Sequence, residues 1–232
     1  MKLFPRHVFL ILISMATPLG ASEYVWIEGE QPVVVPELRP VDGRVPPELF
    51  SLAGWGRTSI ISNGRMLHLN VSSEIVETFL PEEGVTFAYD FVIQQAGPWN
   101  VWARIGYEWV RSDFQWRIDG GPWQLCSRHT PTTNIQPLQT WNELAWIQLG
   151  KVDLEAGRHR FETRHYRHQE SDSRGNENTA RILHLLDAVC ITPEMFHPNG
   201  KWKPDDSFQD ENDRQAVQHV FSFDAGDGSA QR

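Results

Sequence analysis

Residues 87–105 decide the fold, and they read Phe-Ala-Tyr-Asp-Phe-Val-Ile-Gln-Gln-Ala-Gly-Pro-Trp-Asn-Val-Trp-Ala-Arg-Ile. Large apolar side chains occupy every second position from Phe87 to Ile93, which is typical of a strand with one buried face. Ala96-Gly97-Pro98 then predicts a turn. The alternation resumes from Trp99 to Ile105. The stretch therefore predicts two strands joined by a turn.

The same period of two recurs along the chain between turn signals. The further strands that it predicts are Phe114 to Ile118, Trp146 to Leu154, Arg158 to Tyr166 and Leu183 to Ile191. Asp119-Gly120-Gly121-Pro122 is a hairpin signal, and no helical period exceeds a couple of turns. About eight short strands at close spacing predict an all-β, antiparallel jelly-roll sandwich, with a barrel as the alternative.

The first residues carry the features of a secretory signal peptide. Lys2, Arg6 and His7 precede an apolar run from Val8 to Met15, and small residues follow up to Ser22. This pattern predicts export and cleavage after Ala16 or near Ala21. We assign residues 1–21 to the signal peptide, with a retained anchor as the alternative. The expected location is outside the cell or in the periplasm.

The remaining chain divides into a patterned region and a tail. We assign residues 22–192 to the sandwich, with a proline-rich connection over 31–47 and an exposed loop from Glu170 to Arg181. Residues 193–232 hold prolines and an acidic run, which predicts an extended linker or irregular tail. Within the tail, Val217 to Phe223 could form one more short strand.

Charge and cysteine content restrict the partners and the chemistry. Without Lys2 and Arg6, 19 basic residues face 30 acidic ones, so the net charge falls to −11. Such a surface disfavours nucleic acid and anionic membranes as partners. Export permits a disulfide between Cys126 and Cys190, but two free thiols, with Cys190 buried, fit the sequence as well.

Carboxylates mark both ends of the patterned region. Glu28 and Glu30 lie two residues apart on the first strand and therefore share a face. Asp187 lies inside the apolar strand Ile182 to Ile191, where a carboxylate is costly to bury unless it is neutralised. If the first and last strands are neighbours, the three carboxylates converge, and oxygen ligands suit a hard cation such as calcium. The alternative is two solvated glutamates and an aspartate that caps a loop.

The order of these elements resembles carbohydrate-binding modules of the galactose-binding-domain-like sandwich type, especially families six and thirty-five. The resemblance runs from Glu23 to Thr192. Its elements are the Glu-x-Glu pair at Glu28 and Glu30, the Ala-Gly turn at 96–97, the strand that ends in Asp119-Gly120, the Val-x-Leu-x-Ala-Gly-x-His stretch at 152–159 and the final Asp187.

The resemblance implies a non-catalytic jelly roll with a structural calcium ion bound by Glu28, Glu30 and Asp187. Two positions depart from the family pattern. Leu185 stands where many members carry a sugar-binding asparagine, and Trp141 and Trp146 are five residues apart rather than three. The tail near Val220 to Asp224 resembles the junction into secreted family-two glycoside hydrolases, which implies a fused or associated enzyme.

Loop aromatics and neighbouring polar residues are the candidate sugar ligands. Aromatic rings stack on the apolar faces of sugars, and a few placed hydrogen bonds fix their orientation. The candidates are Tyr107, Trp109, Trp141, Tyr166, Arg111 and Asn178, with Asn142 and Glu143 as further polar groups. The structural alternative for each aromatic residue is a lid over a small core.

Three functional hypotheses remain at this stage. The first is an exported module that binds a poly- or oligosaccharide, is stabilised by calcium and directs an enzyme to its glycan. The second is a small glycan hydrolase or lyase that uses His165 and Glu170, although no nucleophile elbow, phosphate loop or zinc spacing supports catalysis. The third is a sandwich that binds a protein partner through its aromatic side chains.

Overall fold

The computed structural model describes residues 24–206 except positions 39, 45, 47, 109, 141, 172, 173 and 176. The described part contains thirteen strands and one α-helix. The strands are β1 Val25–Glu28, β2 Phe50–Ala53, β3 Met66–Val71, β4 Val85–Ile93, β5 Gly97–Gly106, β6 Phe114–Ile118, β7 Gln124–Cys126, β8 Thr133–Gln139, β9 Asn142–Leu154, β10 Gly157–His165, β11 Gln169–Ser171, β12 Glu177–Thr179 and β13 Ile182–Thr192. The helix α1 spans Ser73–Phe79.

The strands form two main sheets, in which every pair is antiparallel. The larger sheet has the order β2-β3-β13-β5-β9-β8, and β1 also pairs with β13. The smaller sheet has the order β4-β10-β6-β7, and β11 and β12 form a separate hairpin. The predicted all-β antiparallel sandwich is confirmed. The first strand pairs with the last, since Val25 to Glu28 lie opposite Ile191 to Ala188. The condition for Glu28 and Glu30 to lie near Asp187 is therefore met.

The alternation that predicted β4 and β5 places one face of each strand in the core. Phe87, Tyr89 and Phe91 are buried, whereas Asp90 and Val92 between them are exposed. From β5, Trp99, Val101, Ala103 and Ile105 join the same core cluster. Burying a large apolar side chain stabilises the fold by about 1.5–3 kcal/mol. The main core therefore lies between the two sheets.

Strand β13 is buried on both faces, and its two edges are paired. On one edge its first half pairs with β3 and its second half with β1, while β5 lies along the other edge. The register with β5 shifts between Leu186 and Ala188, so Asp187 lies at a β-bulge. A bulge redirects the side chain at that point. Asp187 lies between the part of β13 that pairs with β3 and the part that pairs with β1.

Two segments cover the outer face of the larger sheet, which we define as the face turned away from the smaller sheet. The first is residues 55–65, which include the 3-10 turns Thr58–Ile60 and Ser62–Gly64. The second is residues 193–206, where the indole N–H of Trp146 donates to the carbonyl of Gly200 at 2.7 Å. The ring of Phe196 lies 5.0 Å from that of Trp146. At the end of this segment, the Tyr24 hydroxyl donates to Asp205.

Several sequence-based expectations can be compared with the fold. The sequence predicts a loop from Glu170 to Arg181, whereas the structure forms the β11–β12 hairpin there. Cys126 and Cys190 are buried free thiols in different sheets. No helix among the described residues is long and apolar enough to cross a membrane. Residues 1–23 and 207–232, which hold the predicted signal peptide and most of the tail, lie outside the described residues.

Candidate functional site

The Glu28-Gly29-Glu30 turn packs tightly against β13. The Gly29 amide donates to the carbonyl of Asp187 at 2.8 Å, and a Cβ atom at position 29 would lie 2.0 Å from the carbonyl oxygen of Leu186. The Tyr89 hydroxyl donates to the Gly29 carbonyl at 2.8 Å. Only glycine permits this close approach of the two backbones. The approach places Glu28 and Glu30, on either side of Gly29, beside the bulge at Asp187.

Both carboxylate oxygens of Asp187 have protein partners. The Ser62 amide donates to Oδ1 at 2.9 Å, and Arg104 donates from Nη1 to Oδ2 at 2.6 Å. Neither the Asp187 side chain nor the Arg104 side chain has any exposed surface. Burial raises the pKa of Asp187 to about 6, although the Arg104 charge acts in the opposite direction. The ion pair with Arg104 therefore offsets the free-energy cost of burying the Asp187 carboxylate in an apolar strand.

Arg104 is the buried cation of this region. Its Nη1 also donates to the Ile60 carbonyl at 2.6 Å, and Nη2 donates to the side chain of Gln136. Burial lowers the pKa of Arg104, while the Asp187 charge raises it. The covering segment 55–65 supplies both Ile60 and Ser62. The only sequence signal for this role is one arginine in an otherwise apolar strand, and sequence reasoning assigns it no role.

Glu28 and Glu30 differ from Asp187, because each has one oxygen that is buried and without a hydrogen-bond partner. The other oxygens accept from the Trp26 indole at 3.1 Å and from the Asn63 amide at 2.7 Å. Burial raises the pKa of Glu28, and the charge of Glu30 raises it further. Two neighbouring carboxylates that each have an unpartnered buried oxygen fit a cation such as calcium.

Asp187 fits calcium less well than the two glutamates, because Arg104 already neutralises it and both oxygens are used. Among the residues that the structure describes, no group of three or more histidine, cysteine, aspartate or glutamate side chains has an arrangement that could hold a metal ion. Calcium binding by Glu28, Glu30 and Asp187 stays a prediction. Of the three, only the glutamates have unpartnered oxygens with which to bind it.

The position that departs from the family pattern lies inside a second apolar cluster. Leu185 is buried with Met66, Tyr107, Leu138, Leu144 and other residues on the outer face of the larger sheet. Trp55 and Ile60 pack against this cluster from the covering segment. Leu185 has no exposed surface, and Gly106 lies directly against its side chain. A ligand therefore has no access to position 185.

Two of the predicted sugar ligands are buried. Tyr107 is 5% exposed, its hydroxyl bonds to Nε2 of His68, and it belongs to the cluster around Leu185. Arg111 is 3% exposed and donates to the Glu108 carboxylate at 2.7 Å and to the Thr130 carbonyl at 2.6 Å. Loop positions carry no periodic signal for burial, so the burial of these two residues could not be predicted from the sequence.

A polar cleft of about 550 Å³ lies between α1 and the β11–β12 hairpin. It is lined by Ser73, Glu74, Glu77, Glu170, Asn178, Thr179, Ala180 and Arg181. Glu170 and Arg181 also line a neighbouring depression that Arg111 reaches. Of the predicted ligands, the structure thus brings Asn178 and Arg111 to adjoining cavities. We refer to the cavity beside α1 as the α1 cleft.

The other predicted sugar ligands do not line the α1 cleft or lie outside the described residues. Tyr166 follows β10, is partly exposed and is not among the residues that line the α1 cleft. Asn142 is buried and Glu143 is partly buried, at the start of β9. Trp109 and Trp141 lie outside the described residues. Of the predicted aromatic residues that the structure describes, Tyr107 is buried and Tyr166 lies outside the α1 cleft.

His165, the histidine proposed for catalysis, lies in the main core beside His184. His165 and His184 have no exposed surface, their rings are 4.3 Å apart, and no nitrogen of either ring has a hydrogen-bond partner. Phe114 packs against both rings. Burial lowers the pKa of His165 to about 3 and that of His184 well below its usual value. A substrate cannot reach His165, so the structure does not support its catalytic role.

Comparisons with known proteins give structural similarities only. No protein-family model and no curated protein matches the chain. A GH26-CBM35 β-(1,4)-mannanase from Podospora anserina is 11% identical over 77% of this chain and 29% of its own length, with a TM-score of 0.44. The chain thus spans less than a third of that enzyme.

Two isolated modules are similar over most of their length. The C-terminal CBM6 of LamC from Zobellia galactanivorans is 11% identical over 73% of this chain and 99% of its own, with a TM-score of 0.41. A CBM6 from Cellvibrio mixtus lichenase 5A, solved with cellotriose, is 13% identical over 74% and 98%, with a TM-score of 0.40. Both modules are CBM6 modules, and family six is one of the two families that the sequence resembles.

Proposed function

We propose that this chain is an exported, non-catalytic module that binds a poly- or oligosaccharide. The observation that carries the proposal is the α1 cleft, where Asn178, Thr179 and Arg181 stand opposite Glu74 and Glu77. Sugars need several hydrogen-bond donors and acceptors at fixed positions, and this cleft presents both kinds.

The contacts inside the cleft favour a preformed site. Thr179 donates to the Glu77 carboxylate, so the hairpin is tied to α1. Arg181 donates to Asn70 from Nε at 2.9 Å and from Nη2 at 2.7 Å, which fixes its guanidinium. A side chain held in this way loses less conformational entropy when it binds a ligand.

A glycan panel with two variants tests the proposal. Asn178→Ala should weaken binding to the sugar class that the wild-type chain retains, because an amide that carries both donor and acceptor groups is removed. Lys151→Ala is the matched control, since Lys151 is exposed and does not line the α1 cleft. Retention of no glycan by a folded wild-type chain, or equal loss in both variants, would contradict the proposal.

Catalysis by carboxylates is the second candidate, because Glu74, Glu77 and Glu170 line the same cleft. Glycoside hydrolysis uses two carboxyl groups that flank the scissile bond. Turnover of a bound oligosaccharide that disappears in Glu170→Gln, with binding retained, would favour this candidate. Binding without turnover would favour the module.

We propose further that calcium binds at Glu28 and Glu30. Their unpartnered buried oxygens support the proposal, and a bound cation would offset the repulsion between two neighbouring carboxylates. Added calcium should raise the melting temperature of the wild-type chain, and chelator should reverse the increase. Glu28→Gln/Glu30→Gln should remove the calcium response. An identical melting temperature with calcium and with chelator in the wild type would refute the site.

Export and an enzyme partner complete the proposal. The basic and apolar segment over residues 1–21 supports secretion, and exported protein with an intact N-terminus at Met1 would contradict a cleaved signal peptide. The resemblance of the tail to a hydrolase junction supports a polysaccharide-degrading enzyme as the fused or associated partner. Such an enzyme should act faster on insoluble glycan when it is joined to this chain.

A further inference from the structure

The outer face of the smaller sheet carries a charge opposite to that of the chain as a whole. Strand β10 alternates between the core and this face, so Arg158, Arg160, Glu162 and Arg164 point outward. Arg117 from β6 and Asp90 from β4 lie beside them. Asp119, at the end of β6, lines one depression with Asp90, Arg158 and Arg160. Four arginines therefore face three carboxylates, in a chain whose formal net charge is −9.

Two of the four arginines are neutralised locally. Arg160 donates to both oxygens of Asp90, at 2.7 and 3.1 Å. Arg117 donates in the same forked way to Glu162, at 2.6 and 3.1 Å. Among the residues that the structure describes, no carboxylate forms an ion pair with Arg158 or Arg164. Four arginines against three carboxylates leave this face with one positive charge in excess.

A tryptophan fixes two of these guanidinium groups. The guanidinium carbon of Arg117 lies 4.1 Å from the ring centroid of Trp123, and that of Arg164 lies 4.4 Å from it. Arg164 also donates from Nε to the side-chain oxygen of Gln115 at 2.9 Å. Cation–π contact holds each group in place, although the two positive charges repel each other. An anion on this face would relieve that repulsion.

The shape of the face suits an extended ligand. Sheet strands present side chains on a flat, rigid surface, and partly exposed Trp123 with exposed Leu125 and Val92 adds apolar area between the charged groups. Arginine matches carboxylate and sulfate oxygens with paired donors, and apolar surface suits the faces of sugar rings. The acidic remainder of the chain would repel a polyanion, so this face is where one would bind.

We propose that the outer face of the smaller sheet binds the carboxylate or sulfate groups of an acidic polysaccharide through Arg158 and Arg164. The inference rests on the proposed carbohydrate-binding function and adds a second surface, which the α1 cleft does not share. Neutral sugars bind in the cleft, and acidic chains bind across the sheet. Nucleic acid shares the anionic chemistry but carries a denser charge, which the acidic chain disfavours.

Affinity electrophoresis of the full chain tests the proposal in gels that contain a polyuronate, a sulfated polysaccharide or a neutral polysaccharide. The two acidic gels distinguish carboxylate from sulfate as the recognised group. Acidic polymer should retard the wild-type chain, and added salt should weaken the retardation. Arg158→Gln/Arg164→Gln should bind about tenfold more weakly or worse, because charged hydrogen bonds are lost.

The control is Arg57→Gln, which removes one positive charge from the segment that covers the larger sheet. It should leave the retardation unchanged. Equal losses in Arg57→Gln and in Arg158→Gln/Arg164→Gln would overturn the proposal, and so would equally tight binding of duplex DNA. Binding of neutral glycans without acidic ones would refute this inference and leave the proposed function standing. A folded chain that binds no glycan would refute both.

Discussion

The outer face of each sheet carries an arginine–aspartate ion pair, and the two pairs differ in burial. On the larger sheet, Arg104 and Asp187 pair beneath a covering segment and have no exposed surface. On the smaller sheet, Arg160 and Asp90 pair in the open. A buried charge that loses its partner remains uncompensated, whereas an exposed charge is solvated by water. The fold therefore depends on the first pair, whereas the second pair contributes little to stability.

The largest expected effect comes from breaking the buried pair. Arg104→Met should lower the free energy of unfolding by about 3–5 kcal/mol, because Asp187 would stay buried without its partner. Urea denaturation measures the change. The double variant Arg104→Met/Asp187→Leu should recover part of the loss, since no buried charge remains.

The exposed pair is the control for that experiment. Arg160→Met should change the denaturation midpoint little, because water solvates Asp90. Equal losses for Arg104→Met and Arg160→Met would contradict the contrast between the two faces.

The next effect concerns the segment that covers the larger sheet beyond residue 192. Phe196 packs on Trp146 and Trp102, so Phe196→Ala should cost about 3 kcal/mol in the free energy of unfolding. Met195 is 81% exposed, and Met195→Ala should leave stability nearly unchanged. If the two variants melt together, residues 193–206 do not contribute to the cover.

The smallest effect is a pH dependence that originates between the sheets. His165 and His184 are held neutral, Arg111 is the charged group that acts on His184, and Phe87 and Phe114 surround the rings. Their folded pKa values lie below 6.5, so the unfolded chain binds more protons at lower pH. As the pH drops from 6.5 to 5.5, stability should fall by about 1 kcal/mol for each histidine, since one pKa unit corresponds to about 1.4 kcal/mol.

Asp187 acts in the opposite direction over part of that range. Its pKa is raised to about 6, so the folded state gains a proton more readily than the unfolded state as the pH falls through 6. His184→Leu should reduce the net slope, which urea denaturation at a series of pH values measures. A slope identical to that of the wild type would show that the histidine pair does not cause it.

Local periodicity was enough to predict the sandwich but not its cover. The alternation from Phe87 to Ile93 correctly predicts which side chains face the core, and the apolar run through β13 predicts its burial. The burial of Arg104 depends on Ile60 and Ser62, which lie far away in sequence. Residues 193–206 are polar and proline-rich, so their composition predicts a linker although Phe196 and Gly200 pack on the sheet.

The candidate site was less predictable than the fold. The residues Glu28 and Glu30 of the Glu-x-Glu pattern lie beside the bulge at Asp187, because the first and last strands pair. Burial of Tyr107 and Arg111 depends on how the loops fold over the sheet edge, which no periodic pattern encodes. The cluster of arginines around Trp123 could not be predicted without the strand register of the smaller sheet, because its members come from two different strands, β6 and β10.

The contact between Tyr24 and Asp205 has a practical consequence for protein engineering. One hydrogen bond of 2.5 Å joins the two side chains, so the entry and exit points of residues 24–205 are adjacent. Neighbouring entry and exit points are what domain insertion and circular permutation require. A host protein could accept this segment in a single surface loop without its own flanking strands being pulled apart.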